Sequence, residues 1–393
     1  MLRSLFAGIG GLRAHQQMLD VTGNNIANVN MFGFKSSNTV FEDTLGQLLK
    51  AAAAPQNGNG GTNSTQVGLG VRLAAVTTNF GQGAAQTTGR STDLMINGDG
   101  FFVVRDGAEQ KYTRAGAFTF DANGKLTSPN GSVVQGWIAV NGVVDTNGTP
   151  GDVSLPIGTL LQPKPTTQVV IGGNLPGDTT TVTPFVSAMT CFDQQGNPLT
   201  ITTRFTKITP TSWGVTVSNG TTTSGSTTIS FAGTGSTPSP TSVVFNGITV
   251  DLSALTSFAG QATVSALSQN GSQMGSLQSF TIGADGLLTG VFSQGLKQPL
   301  AQLTLATFNN PVGLEQAGSS MYRVSANSGT PQLGKPGGGG GRGLITGGAL
   351  EMSNVDLAAE FTGLIIAQRG FQANSKLITT SDELLQDLVN LKR

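Results

Sequence analysis

Two segments at opposite ends of the chain carry the same seven-residue repeat of apolar side chains. The repeat positions are Leu5, Leu12, Leu19 and Ile26 near the start, and Leu357, Leu364, Phe371, Ile378 and Leu385 near the end. A second track, four residues after the first, adds Ile9 to the first segment and Phe361 and Val389 to the last. This spacing is typical of helices that pack along a shared seam. Because one helix cannot bury such a seam alone, the pattern predicts that the two chain ends pack on each other.

The predicted seam is small or polar in its middle. Gln16 and Gly23 interrupt the second track of the first helix, and Gln368, Ser375 and Asp382 interrupt that of the last. A buried Leu or Ile contributes about 1.5–3 kcal/mol, and isolated helices shorter than about 12–15 residues are marginal in water. We therefore expect the helix pair to gain stability from neighbouring subunits. The alternative is an ordinary antiparallel coiled coil that closes one globular domain.

The composition favours an assembly component. The 393 residues include 21 Lys plus Arg, 21 Asp plus Glu and 56 Gly, and only 11% are charged. Zero net charge argues against nucleic acid or an anionic membrane as the main partner, and weak electrostatic repulsion favours association of identical subunits. Thr, Ser, Asn and Gly dominate the middle of the chain, as in solvated β-sheets with many tight turns.

These patterns predict a multidomain α+β protein with paired, coiled-coil-like terminal α-helices and two nested, mainly antiparallel β domains between them. The terminal helical domain takes residues 1–30 and 354–393; an irregular connecting segment takes 31–90 and 335–353; the first β domain takes 91–165 and 276–334; the inserted outer β domain takes 166–275. Asn-Gly and Asp-Gly pairs between alternating apolar runs predict the hairpins. Within the connecting segment, a short helix is predicted over 40–54 and a strand over 68–80, and the glycine-rich run 334–343 is predicted to be a flexible joint.

The sequence predicts no catalytic residue, no cofactor and no metal site. His15 is the only histidine and Cys191 the only cysteine. The sequence therefore lacks the clusters of His and Cys that commonly form nucleophile–base pairs or metal sites. Asp121, Asn123 and Gly124 mimic part of a calcium loop, but no Glu stands at the later position that such a loop requires. We therefore expect a protein that is not an enzyme.

The opening residues lack the pattern of a cleaved leader. Their apolar run is short, is broken by Gly10, Gly11 and Arg13, and has no small-residue cleavage site. No run of 18 apolar residues occurs in the sequence, so we expect no membrane-spanning segment.

Three long motifs resemble the rod and hook family of bacterial flagella. They are NNIANVNMFGFK at 24–35, TDLMINGDGFFVV at 92–104 followed by YTRAGAFTFDANGKL at 112–126, and LEMSNVDLAAEFTGLIIAQRGFQANSKLITTSDELLQ at 350–386. Met31 departs from the family pattern, which more often has Thr there. The long middle of the chain and the run Gln-Arg-Gly-Phe-Gln-Ala-Asn at 368–374 are similar to hook members of the family.

The resemblance implies a structural subunit of a curved tube, the hook, which transmits torque from the basal-body rod to the filament. Its partners would be further copies of itself, the distal rod protein, the hook cap protein, the hook–filament junction proteins and the flagellar type III export apparatus, with no nucleic acid and no membrane insertion. The subunit would lie in the extracellular flagellum, attached to the basal body, after export without a cleaved signal peptide. Phe41 and Leu45, in the run FEDTL, resemble the short motif that the family's export gate reads.

Two other interpretations stay open at this point. One is a distal rod or another axial protein of the same family, which would form straight rods. The other is a secreted β-rich adhesin or hydrolase with helical ends, which would need surface aromatic residues or an acidic pair in a cleft. The chain has only 2 Trp and 2 Tyr, so sugar-stacking platforms are poorly supplied.

Overall fold

The computed structural model describes residues 2–55, 60–140, 142–156, 160–177, 183–233 and 235–390. The chain forms two compact units. The first contains residues 1–155, 281–289 and 299–393, and the second contains 156–280 and 290–298. Both terminal helices lie in the first unit. The predicted multidomain α+β fold is confirmed, while the boundaries of the four-part division remain a prediction.

The elements follow one another along the chain with a helix at each end. Helix α1 spans Leu2–Ala27 and α2 spans Leu357–Asn390. The strands are β1 Ser37–Asp43, β2 Gln47–Lys50, β3 Thr65–Val67, β4 Val71–Thr78, β5 Ala85–Thr87, β6 Leu94–Asn97, β7 Phe101–Asp106, β8 Glu109–Thr113, β9 Thr119–Phe120, β10 Leu126–Thr127, β11 Val133–Val140, β12 Val143–Val144, β13 Gly151–Asp152, β14 Leu160–Leu161, β15 Gln168–Asn174, β16 Phe185–Phe192, β17 Pro198–Thr209, β18 Ser212–Ser218, β19 Thr227–Phe231, β20 Pro238–Ser239, β21 Ser242–Phe245, β22 Ile248–Thr256, β23 Ser265–Gln269, β24 Gly275–Ile282, β25 Leu287–Phe292, β26 Lys297–Leu303, β27 Leu305–Thr307, β28 Glu315–Gly318, β29 Met321–Arg323, β30 Gln332–Gly334, β31 Leu344–Gly347 and β32 Ala349–Glu351. A 3-10 turn, Pro311–Gly313, precedes β28.

The β body of the first unit is antiparallel and is built around β7. This strand pairs with β8, β11 and β27, and β8 continues through β29 to β28. An aromatic cluster packs on one side of these strands: Phe101 lies 5.4 Å from Phe80 and 5.8 Å from Phe308 between ring centroids, and Tyr112 lies 4.8 Å from Phe308. These rings belong to a buried core cluster of the unit.

Both termini are tied to this body by local geometry. After α1, Gly33 adopts a φ of 68° and approaches the β body so closely that a Cβ would lie 2.4 Å from the backbone nitrogen of Ala115. Only glycine fits such a position without strain. Before α2, the carboxylate of Asp356 accepts a hydrogen bond from the backbone N–H of Ala358 at 2.9 Å, as an N-cap residue does.

The segment between α1 and the β body differs from the sequence prediction. The predicted helix over 40–54 is wrong, because β1 and β2 occupy this stretch. Strand β1 pairs along its whole length with β4, the strand predicted over 68–80, and this pairing outweighs the local helical pattern. The glycine-rich run 334–343 lies against the turn after β6, where the Gly343 N–H donates to the Asp99 carbonyl at 2.7 Å.

The second unit contains two small sheets. Strands β16 to β20 form one antiparallel sheet in chain order, and the other has the order β21-β22-β15-β23. Strands β15 and β22 are parallel, whereas the other pairings in these two sheets are antiparallel. Fully buried Trp213, Phe205 and Cys191 belong to the unit's core.

Candidate assembly site

The two terminal helices pack against each other in antiparallel register. Hydrogen bonding brings Asn25 near the end of α1 to Glu360 near the start of α2, with 2.8 Å between Asn25 Nδ2 and Glu360 Oε1. Further along, a Cβ on Gly11 would fall 2.7 Å from the side-chain oxygen of Asn374, and one on Gly8 would fall 3.0 Å from Leu377 Cδ2. The prediction that the chain ends pack together is therefore correct.

Small and polar residues line the contact between these helices. On α1 the buried positions are Gly8, Gly11, Ala14, Thr22 and Asn25, and on α2 they include Ala367 and Ser381. Glycine on both helices permits a close approach: the ring of His15 lies against Gly370, and Met18 Cε would lie 3.7 Å from a Cβ on Gly363. The contact residues recur with spacings of three and four along each helix, which is a heptad seam made of residues that sequence reasoning passed over.

The predicted apolar track flanks this seam. Its half-buried members are Leu5, Ile9, Leu12, Leu19, Ile26, Leu364, Phe371, Ile378 and Leu385. Phe361 is 51% exposed, Val389 is 69% exposed and Leu357 is also open. The positions that face α1 come one residue earlier than the predicted second track, at Glu360, Ala367, Asn374 and Ser381. Close approach selects glycine at several contact positions, and larger side chains such as those of His15, Met18 and Leu377 pack against these glycines.

Helix α2 consequently presents a large apolar surface to its surroundings. Exposed residues on it are Leu357, Phe361, Ile365, Ile366, Leu377, Leu384 and Val389. Phe6 on α1 is exposed as well. Apolar surface of this extent is characteristic of protein interaction sites. Leu377 also contacts Gly8 in the seam, so we call the other seven residues the outer apolar surface of the helix pair.

The helices are unequal in length, and α2 extends beyond its partner. Gly8 lies opposite Leu377, so the first residue of α1, Leu2, falls opposite the last turns of α2. The part of α2 that lies past the position opposite Leu2 runs to Asn390. At 1.5 Å per residue, it projects roughly 10 Å beyond the start of α1. Leu384 and Val389 on this projection are exposed.

A buried cluster of charges joins the inner ends of the helices to the β body. Lys35 Nζ lies 2.6 Å from Glu351 Oε1, and both side chains are fully buried. Arg114 Nη1 lies 3.6 Å from the other carboxylate oxygen, Glu351 Oε2. Lys35 also donates to the Gly81 carbonyl at 2.8 Å, and Glu351 Oε1 accepts from the Gly83 N–H at 2.9 Å. We name Lys35, Arg114 and Glu351 the charge cluster.

Burial governs the electrostatics of this cluster. Desolvation lowers the pKa of Lys35, and the hydrogen bond and negative charge of Glu351 oppose that shift. Burial likewise lowers the pKa of Arg114, again opposed by Glu351. Sequence reasoning missed the cluster, although Lys35 and Glu351 both stand inside the motifs at 24–35 and 350–386. Lys35 is the only charged residue of the first motif, but Glu351 is one of several in the second, so the sequence does not indicate that the two pair.

Two asparagines reinforce the same junction. Asn25 Nδ2 donates to the Ser37 carbonyl at 2.8 Å, and its Oδ1 accepts from the Ser37 N–H at 3.0 Å. Asn354 Oδ1 accepts from the Ser36 N–H at 2.8 Å, while its Nδ2 donates to the Asn79 carbonyl at 2.8 Å. Both chain ends are thus fastened to the segment 35–37 and to the loop after β4.

The remaining candidate residues lie apart from one another. The Phe41 ring sits 6.2 Å from the His15 ring between centroids, whereas Leu45 is 89% exposed beyond the end of β1. Cys191 is buried in the second unit, and burial raises the pKa of its thiol. Across the described ranges, no group of three or more His, Cys, Asp or Glu could hold a metal ion. No helix among the described residues is long and apolar enough to cross a membrane.

Four segments of the chain match known flagellar protein families. Residues 5–35 match "Flagella basal body rod protein", 95–174 match "Flagellar hook protein FlgE/F/G D1 domain", 161–272 match "Flagellar basal body protein FlaE D2 domain" and 346–391 match "Flagellar basal body rod FlgEFG protein C-terminal". The first and last matches contain the helices, and the middle two contain the β regions.

Relatives are similar to the chain over its whole length. The flagellar hook protein FlgE of Borreliella burgdorferi is 37% identical over 443 residues, covering 100% of both chains. The flagellar basal-body rod protein FlgG of Bacillus subtilis is 34% identical over 393 residues, also covering 100% of both. The crystal structure of the Helicobacter pylori flagellar hook protein FlgE2 shares the fold, with a TM-score of 0.53 at 14% identity over 68% of this chain and 100% of that one.

Proposed function

This chain belongs to the family of flagellar hook and basal-body rod proteins, and we propose that it is a structural subunit of the flagellar hook that polymerises into a curved tube. The full-length similarity to a hook protein supports this choice within the family. The role proposed is structural rather than enzymatic, which the flagellar families matched by the chain support.

The outer apolar surface is the observation that carries the proposal. Phe361, Ile365 and Ile366 on α2 are each more than half exposed in the single chain, and such a surface is unfavourable in water at about 25 cal/mol per Å² of apolar area. Packing against the helices of neighbouring copies would remove it. The projecting end of α2 supplies further apolar side chains that a second copy can cover.

Weak surface charge suits a tube that must bend. Subunits in a curved tube change their mutual contacts as the tube rotates, and contacts between uncharged surfaces change with little electrostatic penalty. With 21 basic and 21 acidic residues in 393, the chain has little charge to oppose such movement. A continuous helical layer would carry the torque, because α1 and α2 pack against each other from Gly8 to Asn25 of α1.

The proposal extends to partners and location. The subunit would contact the distal rod protein at one end of the hook, the cap protein during growth and the junction proteins at the other end, and it would lie outside the cell after passing through the flagellar type III export apparatus. Phe41 and Leu45 remain candidates for recognition by that apparatus. The exposure of Leu45 supports its part in this role, whereas Phe41 is half-buried near His15 and would become fully accessible in an unfolded chain.

A rod subunit of the same family is the second candidate. The observation that favours it is the full-length similarity to the Bacillus subtilis rod protein. Both candidates use the same terminal helices, so the architecture of the helix pair does not separate them. The shape of the polymer does.

Electron microscopy of polymers grown from the purified protein tests the proposal, with circular dichroism of the monomer alongside. Curved tubes of uniform diameter are expected for a hook subunit. Straight, rigid rods would replace the hook assignment by the rod assignment. Failure to polymerise after seeding or salting out, under conditions in which a known hook protein polymerises, would contradict both.

A further inference from the structure

We infer that Lys35, Glu351 and Arg114 form an electrostatic latch that makes the two ends of the chain dock on the β body together, neither being ordered without the other. The latch concerns folding within one subunit and does not depend on the hook assignment. The contact between the two helices does not by itself tie either chain end to the β body.

The three charges come from three separate parts of the chain. Lys35 follows α1, which ends at Ala27, and Glu351 precedes α2, which begins at Leu357. Arg114 directly follows β8 in the β body. Each terminal segment therefore contributes one charge and the body contributes the third. The cluster is complete only when all three parts of the chain have met.

All three charged side chains are almost completely buried. Lys35 and Glu351 have no exposed side-chain surface, and Arg114 is 3% exposed. A charge buried without its partner is strongly unfavourable, because it has lost its hydration and gained no compensating attraction. Docking of the first terminal segment without the last would leave Lys35 without its carboxylate partner, beside Arg114, whose charge Asp99 also stabilises. Docking of the last without the first would leave Glu351 with the more distant Arg114 alone.

The three residues of the latch should differ in how strongly their neutralisation affects it, because one anion balances two cations. Glu351 is the single anion between two cations, at 2.6 Å from Lys35 and 3.6 Å from Arg114. Removing its charge leaves two buried cations close together. Removing the Lys35 charge leaves one ion pair, Glu351 with Arg114. The latch therefore predicts that neutralising Glu351 has the larger effect and that neutralising Lys35 has a smaller effect in the same regions.

Hydrogen bonds beside the charge cluster join the segment after α1 to the segment before α2, so loss of the Glu351 charge should affect both segments. The Gly33 N–H donates to the Glu351 carbonyl at 2.8 Å, so the first terminal segment is bonded to the very residue that carries the anion. Ser36 is bonded to Asn354. Loss of the anion should loosen residues 33–37 and 349–354 as one unit.

Hydrogen exchange followed by mass spectrometry of the full-length monomer tests the latch, with the variants Glu351→Gln and Lys35→Met. In Glu351→Gln, we expect exchange at residues 28–37 and 349–356 to rise together by roughly a hundredfold or more, as loss of one partner of a buried pair implies. Lys35→Met should raise exchange in the same two regions by a smaller factor. The matched control is Glu315→Gln, which removes an ion pair with Arg323 whose side chains are 52% and 54% exposed, and which should change neither region.

A variant of the seam separates the latch from simple helix pairing. Gly370→Leu places a side chain against His15 and should release α1 and α2 from each other while residues 28–37 and 349–356 stay protected. The latch is overturned if Glu351→Gln loosens only the segment around 351 and leaves 28–37 protected, or if Gly370→Leu alone loosens both junction segments equally. If Glu351→Gln unfolds the entire first unit, Lys35→Met decides: loosening of both segments supports the latch, and loosening of 28–37 alone contradicts it.

Discussion

The imidazole ring of His15 lies directly against the backbone of Gly370, so that a Cβ at residue 370 would fall 2.4 Å from both Cε1 and Nε2 of the ring. A Cβ at such a distance would force the ring to move. The absence of a side chain at residue 370 therefore leaves room for the ring of His15 between α1 and α2.

Replacement of Gly370 by Ala is therefore expected to weaken the helix pair. Overpacking costs about 1–3 kcal/mol, against a gain in helix propensity of up to about 1 kcal/mol. Thermal or urea unfolding of the monomer, followed by circular dichroism, measures the difference. The matched control is Gly23→Ala on α1, where a Cβ would meet nothing within 4 Å. This control should stabilise the helix by up to about 1 kcal/mol, and equal destabilisation by both variants would contradict the close-approach argument.

Substitution on the outer apolar surface should separate assembly from folding. Phe361→Ser combined with Ile365→Ser removes side chains that are more than half exposed in the monomer, so monomer stability should change by no more than about 0.5 kcal/mol for each substitution. Each apolar side chain buried between subunits contributes about 1.5–3 kcal/mol to assembly. Because about 1.4 kcal/mol corresponds to a factor of ten in an equilibrium constant, losing one such side chain should raise the critical concentration for polymerisation tenfold or more. Sedimentation of polymers at graded protein concentrations measures this quantity.

Two comparison variants complete that experiment. Gln368→Ser changes an exposed polar residue of the same helix and should polymerise normally. Leu364→Asp places a charge on the half-buried flank of the seam and should lower both the helix content of the monomer and polymerisation. Unchanged polymerisation of the double variant would show that the outer apolar surface is not a subunit contact.

Tyrosine titration should reveal the packing of the first unit. Burial raises the pKa of Tyr322 to about 12, with the nearby Arg114 charge opposing the shift. Burial also raises the pKa of Tyr112. The folded state holds the Tyr322 proton more tightly than the unfolded chain, where the pKa is about 10. The resulting stabilisation is fully present below about pH 10 and is lost as the pH rises towards 12.

Near-ultraviolet absorbance of tyrosinate follows this titration directly, because the chain has only 2 tyrosines. Tyr112→Phe leaves Tyr322 as the single reporter, and its absorbance should remain low at pH 10 and rise near 12. Adding Tyr322→Phe to the Tyr112→Phe protein should remove this late rise. Full ionisation of Tyr322 at pH 10 in a protein that retains its circular dichroism would contradict the buried environment.

Periodicity predicted the elements but not the residues that touch. The apolar heptads correctly predicted two terminal helices that pack together, because leucine spacing reports which side of a helix faces the protein. The contact itself is made by Gly8, Gly11 and Gly370, which have no hydrophobic signal and become important only once the partner helix is placed. The charge cluster was invisible for a similar reason: Lys35 and Glu351 are separated by most of the chain, and only the fold brings them together.

The two tryptophans allow the two units to be followed separately. Trp137 lies in β11 of the first unit and Trp213 is fully buried in the second. Phe205→Ala should destabilise the second unit by about 3–5 kcal/mol, the usual effect of emptying a buried aromatic site, because Phe205 is fully buried in its core. Fluorescence of Trp213, measured in Trp137→Phe protein during urea unfolding, should then show a transition at lower urea. Trp137 fluorescence, measured in Trp213→Phe protein with and without Phe205→Ala, should keep its midpoint. Since each compact unit has its own buried cluster, equal displacement of both transitions would mean that the units unfold as one cooperative structure.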